Sequence, residues 1–74
     1  MRLPRVNGDK VLRALVRAGF VPVHTKGSHH FLYHAEKDCL VTVPVHSGVV
    51  LAPKTLKSIL SQAGITVEEF ASLL

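Results

Sequence analysis

The sequence has one cysteine, no tryptophan and only five acidic residues against nine lysines and arginines. A lone Cys39 cannot close an intramolecular disulfide, and without a second thiol there is no thiolate metal cluster, so the chain needs no oxidising compartment. No apolar run approaches the roughly 20 residues of a bilayer-spanning helix, and the opening Met1-Arg2-Leu3-Pro4-Arg5-Val6 lacks the apolar core of a secretion signal. The expectation is a soluble, cytoplasmic protein without a membrane partner. The shortage of acid leaves a formal charge of +4 and a pI near 9.7, which favours a polyanionic or acidic partner over a basic substrate. A length of 74 residues predicts a single domain over 1–74, close to the smallest size at which a core holds without disulfides or metal.

The apolar pattern predicts helix, three strands, helix and short helix. Asn7 is placed to cap a first helix in which Val11, Leu12, Leu15 and Val16 form one stripe, with Asp9 in the first turn and Gly19 at the end. Lys10, Arg13 and Arg17 share the opposite face, either a solvated surface or an edge that meets phosphates or a partner. From Phe20 the period changes. Phe20 to Lys26 is short and β-branched, as a strand is, and Pro22, which cannot donate to a ladder, places it at a sheet edge or leaves it paired on one side only there. Gly27 turns tightly into a second strand, Ser28 to His34. The polar turn Ala35 to Asp38 leads to a third, Cys39 to Val45, whose Cys39, Val41, Val43 and Val45 alternate onto a core face. Pro53 fits the first position of a second helix with Leu56, Ile59, Leu60 and Ala63 as its stripe and Gly64 at its end. Thr66 and Glu69 then make a capping box, with Ile65 and Phe70 as hydrophobic staple, for a last helix from Val67 to Leu73.

Two apolar helix stripes and a valine face need one another, so the natural arrangement is α+β, a three-stranded antiparallel sheet packed on two helices. The order α-β-β-β-α with a short C-terminal helix is also that of a double-stranded RNA-binding domain. There, positive charge near the start of the last main helix meets phosphates across a groove. Lys54 and Lys57 stand at that position, and the free N–H groups of the helix end add a phosphate site.

Five histidines, His24, His29, His30, His34 and His46, are many for this length. A metal site would need a ligand set gathered on one side, yet there is no second cysteine and no His-x-x-x-His on a helix. His24, His30 and His34 fit polar positions on the open face of a sheet. His29 differs in its approach, Lys26-Gly27-Ser28, which joins a cation, a flexible backbone with exposed N–H groups and a hydroxyl to an imidazole able to exchange protons near neutrality. These are parts for handling a phosphodiester. The cation and the amides near Gly27 stabilise charge on phosphoryl oxygens, and RNA supplies its own nucleophile, the 2′-hydroxyl.

Leu3-Pro4-Arg5, Ala18-Gly19-Phe20, Lys26-Gly27-Ser28-His29, Val43-Pro44-Val45-His46, Thr55-Leu56, Ile59-Leu60, Gln62-Ala63-Gly64 and Glu68-Glu69-Phe70 follow one another in the order of a known family. The chain resembles the HicA (YcfA-like) toxins of type II toxin-antitoxin systems over nearly its whole length. The resemblance implies a double-stranded-RNA-binding-domain-like fold, metal-independent cleavage of messenger RNA, and neutralisation by a HicB antitoxin encoded alongside. It assigns the catalytic role to His29 in Gly-Ser-His, with Gly27 as the motif glycine. Lys26, Gly27, Ser28, Lys54 and Lys57 are then the expected RNA contacts. His46, in Val-Pro-x-His, is a candidate second acid or base, as are His30 and Lys26. The chain departs from the family in carrying Pro53-Lys54-Thr55-Leu56 where many members have Gly-Thr-Leu, and in doubling the motif histidine with His30. A non-catalytic RNA-binding module of the same fold is the rival expectation, and a protein that only binds an acidic partner is a third. The apolar segment Phe70 to Leu74 either packs on its own core or helps form an antitoxin interface.

Overall fold

Asn7 starts the first helix, α1 (Gly8–Arg17), as its side chain dictates: Oδ1 accepts the Lys10 N–H at 3.0 Å, which satisfies one of the donors left free at a helix start. The structure, a computed structural model, describes residues 2–74. Three strands follow, β1 (Val21–Lys26), β2 (His29–His34) and β3 (Cys39–Pro44), and then α2 (Pro53–Ala63) and α3 (Val67–Leu73). Pro53 opens α2, and Gly64 closes it in the left-handed region at φ +67°. At α3 the capping box is formed in both directions between Thr66 and Glu69. The α+β expectation therefore holds, with three antiparallel strands in the order β1-β2-β3.

The helices cover one face of the sheet because the apolar residues leave no other choice. Val11, Leu15, Phe20, Leu32, Val41, Val43, Leu56, Ile59 and Phe70 are the large side chains wholly inside, and no polar residue is buried with them among the described residues. Removing this area from water, at about 25 cal/mol per Å², is the main favourable contribution to so small a fold. Phe70 belongs to this core and Leu73 packs against it, so the C-terminal segment closes on its own domain, although Leu74 remains 48% exposed. Two long side chains tie the elements together. Arg17 donates to the Leu73 carbonyl at 2.6 Å, joining α1 to α3. The Lys37 ammonium, from the β2–β3 turn, donates to the Ala63 carbonyl at 3.0 Å, where a cation also suits the end of the helix dipole.

Several expected boundaries move. Phe20 is not in β1: its N–H donates to the Leu15 carbonyl at 3.0 Å, so it belongs to the closing turn of α1 and its ring enters the core. Ser28 lies in the turn before β2, and Val45 just beyond β3, although the Val45 N–H donates to the Ser28 carbonyl at 2.8 Å and extends their pairing. Val16 leaves the expected stripe and stands 48% exposed, because the helix buries the narrower row of Val11, Ala14 and Leu15. At the outer edge β1 is exposed along its length, and its pairing shifts between Pro22 and His24. A proline and a bulge on a free edge oppose pairing with another chain.

Gly8 is the tightest glycine in the fold, since a Cβ there would collide with the Pro44 carbonyl oxygen and press on Val45. The α1 N-terminus thus rests directly on the end of β3. Gly8→Ala should cost about 1–3 kcal/mol through overpacking, read as a lowered midpoint in chemical denaturation. A wild-type midpoint would show that this approach is loose.

Candidate functional site

The register of β2 assigns each of its side chains to a face. Leu32 is fully buried opposite Val41, and His30 pairs with Val43 and His34 with Cys39, so these even-numbered positions look toward the helices. His29, Phe31 and Tyr33, opposite Pro44, Thr42 and Leu40, look the other way. This corrects one expectation. His30 and His34 are not polar residues of the open face: His34 stacks edge-on against Phe20 at 4.9 Å, and its Nδ1 accepts the Lys37 N–H at 3.2 Å. His24 does lie on the open face, tilted against Phe31 with ring centroids 5.6 Å apart.

His29 is exposed at the start of β2, between Lys26 of β1 and Pro44 of β3 in the register. Directly opposed side chains in antiparallel strands have Cβ atoms about 4.5–5.5 Å apart, so Lys26 and His29 are neighbours across the two-residue turn Gly27-Ser28. Gly27 has φ +59°, and glycine at the first central position is the signature of the turn that matches strand twist. Nothing lies within 4 Å of where its Cβ would be. The glycine is thus needed for its backbone angle, while the space beside it stays open.

Past Pro44, the outer side of β3 meets α2 in a groove of about 320 Å³ whose walls include Thr42, Pro44, Lys54, Thr55, Ser58 and Gln62. Pro44 is shared between this groove and His29, which places the Lys54 end of α2 on the same side as the histidine. Lys57 is exposed on α2 but does not line the groove. His46 lies one residue past Val45, at the same end of the sheet, and lines a different hollow with Asn7, Asp9 and Ser47. Among the described residues, no three histidine, cysteine or carboxylate side chains gather in a way that would hold a metal ion. Sequence reasoning gave no site role to Phe31, Thr42, Ser58 or Gln62. Phe31 has no signal of its own beside the equally apolar Leu32 until β2 is paired with β3, and the residues of the groove depend on how α2 docks, which no local pattern reveals.

Of the three basic residues on α1, Arg13 pairs with Asp9 at 3.7 Å and Arg17 holds Leu73. That face is therefore partly engaged within the fold itself. The sheet of three antiparallel strands with its flanking helices defines a double-stranded-RNA-binding-domain-like protein. Residues 8–65 match the family described as HicA toxin of bacterial toxin-antitoxin, and the chain belongs to that family. Membership gives it the part of the toxin and implies a cognate antitoxin. No curated protein matches the chain, and among the described residues no helix is long and apolar enough to cross a membrane.

The open face also carries the chain's single tyrosine. Its hydroxyl donates to Asp38 at 2.6 Å, and this bond, with smaller contributions from burial and the carboxylate charge, raises the Tyr33 pKa above 10.0. The raised pKa means the folded state favours the phenol, so the stabilisation is complete below about pH 10 and lost as pH rises through the folded pKa. Absorbance titration should therefore show a phenolate midpoint above that of a free tyrosine, falling back toward the ordinary value in Asp38→Asn. Equal midpoints in the two proteins would mean the bond does not persist in solution.

Proposed function

We propose that this toxin is a ribonuclease that cuts messenger RNA without a bound metal, with His29 exchanging the proton of the reaction, and that a HicB-type protein is its antitoxin. The observation that carries this reading is the position of His29: exposed, beside Lys26 and the open turn at Gly27, and on the side of the sheet that leads to Lys54. A basic chain of this size has little room for an elaborate active site, and RNA cleavage asks for little.

His29 takes the proton of a ribose 2′-hydroxyl, and that oxygen forms a bond to the adjacent phosphorus. The bond from phosphorus to the 5′-oxygen breaks, leaving a 2′,3′-cyclic phosphate on one fragment, and a proton goes to the departing oxygen. Lys26 and the amides of Gly27 and Ser28 offset the charge that builds on the phosphoryl oxygens, while Lys54 holds a neighbouring phosphate from the end of α2. Lys26 and His46 are the groups at this end of the sheet able to supply the second proton. His30 is not, because it faces the helices.

His29→Ala should lower cleavage by about 10²- to 10⁴-fold, the usual contribution of a positioned general base, and should abolish growth arrest on expression. The measurement is single-turnover cleavage of RNA in EDTA by the purified, antitoxin-free chain. Intact RNA despite binding by the unmutated protein would instead favour a non-catalytic RNA-binding module of the same fold.

A further inference from the structure

The open face of the sheet carries more than the histidine. His29, Phe31 and Tyr33 occupy every second position of β2 on that face, and at a rise of about 3.4 Å per residue their stems stand about 6.8 Å apart. That interval is about twice the ~3.4 Å step between stacked nucleotides, so a strand whose bases are separated from one another meets one ring per base. His24 lies against Phe31 and widens that platform, and the hydroxyl bond to Asp38 holds the Tyr33 ring in place. Val21 and Leu40 flank Tyr33 across the two ladders and are 59% and 53% exposed. They provide an apolar floor that suits a base better than a hydrated phosphate.

Charge selects the occupant. None of the three strands contains an aspartate or glutamate, and two cations stand at the His29 end, with Lys26 alongside and Lys54 across Pro44. A surface with aromatic rings along its length and positive charge where the backbone is to be cut matches the stacking platforms that bind unpaired nucleic acid. In a duplex each base face is already covered by its neighbour, so the same rings find nothing to stack on.

We propose that the open face of the sheet binds single-stranded RNA, with successive bases stacked on Phe31 and Tyr33 and the phosphodiester to be cut held at His29. This rests on the ribonuclease reading above and gives it a substrate class, unpaired stretches of messenger RNA, in a fold named for duplex binding. It also makes the cut asymmetric, because the rings extend from only one side of His29.

The test is equilibrium binding of a short, mixed-sequence RNA oligonucleotide to the full chain carrying His29→Ala, with the strand alone or annealed to its complement. Adding Phe31→Leu or Tyr33→Leu should weaken binding of the single strand roughly 5- to 150-fold per ring, whereas Phe31→Tyr and Tyr33→Phe should restore it. Thermal unfolding of each variant controls for loss of fold. Tyr33 is the only tyrosine and there is no tryptophan, so quenching of its fluorescence by the single strand reports contact directly. Unchanged affinity in both leucine variants, or equal affinity for single strand and duplex, would overturn the proposal. Unchanged RNA binding with loss of antitoxin binding would likewise overturn it and mark the face as a protein interface. Cleavage by the chain with His29 intact, measured in parallel, tests the ribonuclease reading separately, since it can succeed while the ring variants bind normally.

Discussion

Burial of Leu32 opposite Val41 is the contact on which the organisation of this protein depends. Side chains of a strand alternate with a period of two, so placing Leu32 against the helices sends His30 and His34 inward with it and leaves His29, Phe31 and Tyr33 outside. A slip of one residue would exchange the two adjacent histidines and expose the leucine. The penalty for that slip is paid in core area, with Val41 and Val43 also fully buried on the same face. The packing of the core thereby decides which imidazole meets solvent.

Each element around that strand contributes to the placement. The two-residue turn at Gly27 sets His29 against Lys26, and the Val45–Ser28 hydrogen bond continues the sheet past β3, so that Pro44 lies beside His29. Gly8 lets α1 come down on Pro44, and α2 runs along β3 to bring Lys54 to the same side. Lys37 and Arg17, which look like surplus positive charge in the sequence, instead satisfy carbonyls at the ends of α2 and α3. Part of the basic composition is therefore structural, and Lys26 and Lys54 are the cations that stand beside the open face.

The elements whose signals are local were legible in the sequence. Asn7, Gly19, Pro53, Gly64 and the Thr66–Glu69 capping box sit where their chemistry predicts, since caps involve residues a few positions apart. The valine face of β3 was legible for the same reason. Val16 and Phe20 were not, because the exit of α1 is decided by where Phe20 finds space in the core. The faces of His30 and His34 also escaped sequence reasoning: Phe31 and Leu32 are both apolar, and only pairing with β3 shows which of them is inside. The groove between β3 and α2 joins residues far apart in the chain and has no sequence signature.

The central claim, that the open face and not the helix-covered face receives RNA, is tested most directly by following the imidazole resonances of all five histidines by NMR. The titrant is an RNA oligonucleotide made uncleavable by 2′-O-methylation. The account predicts that His29 and His24 shift with saturating dependence on RNA while His30 and His34 hold their positions. Shifts confined to His30 and His34, with His29 unmoved, would contradict it.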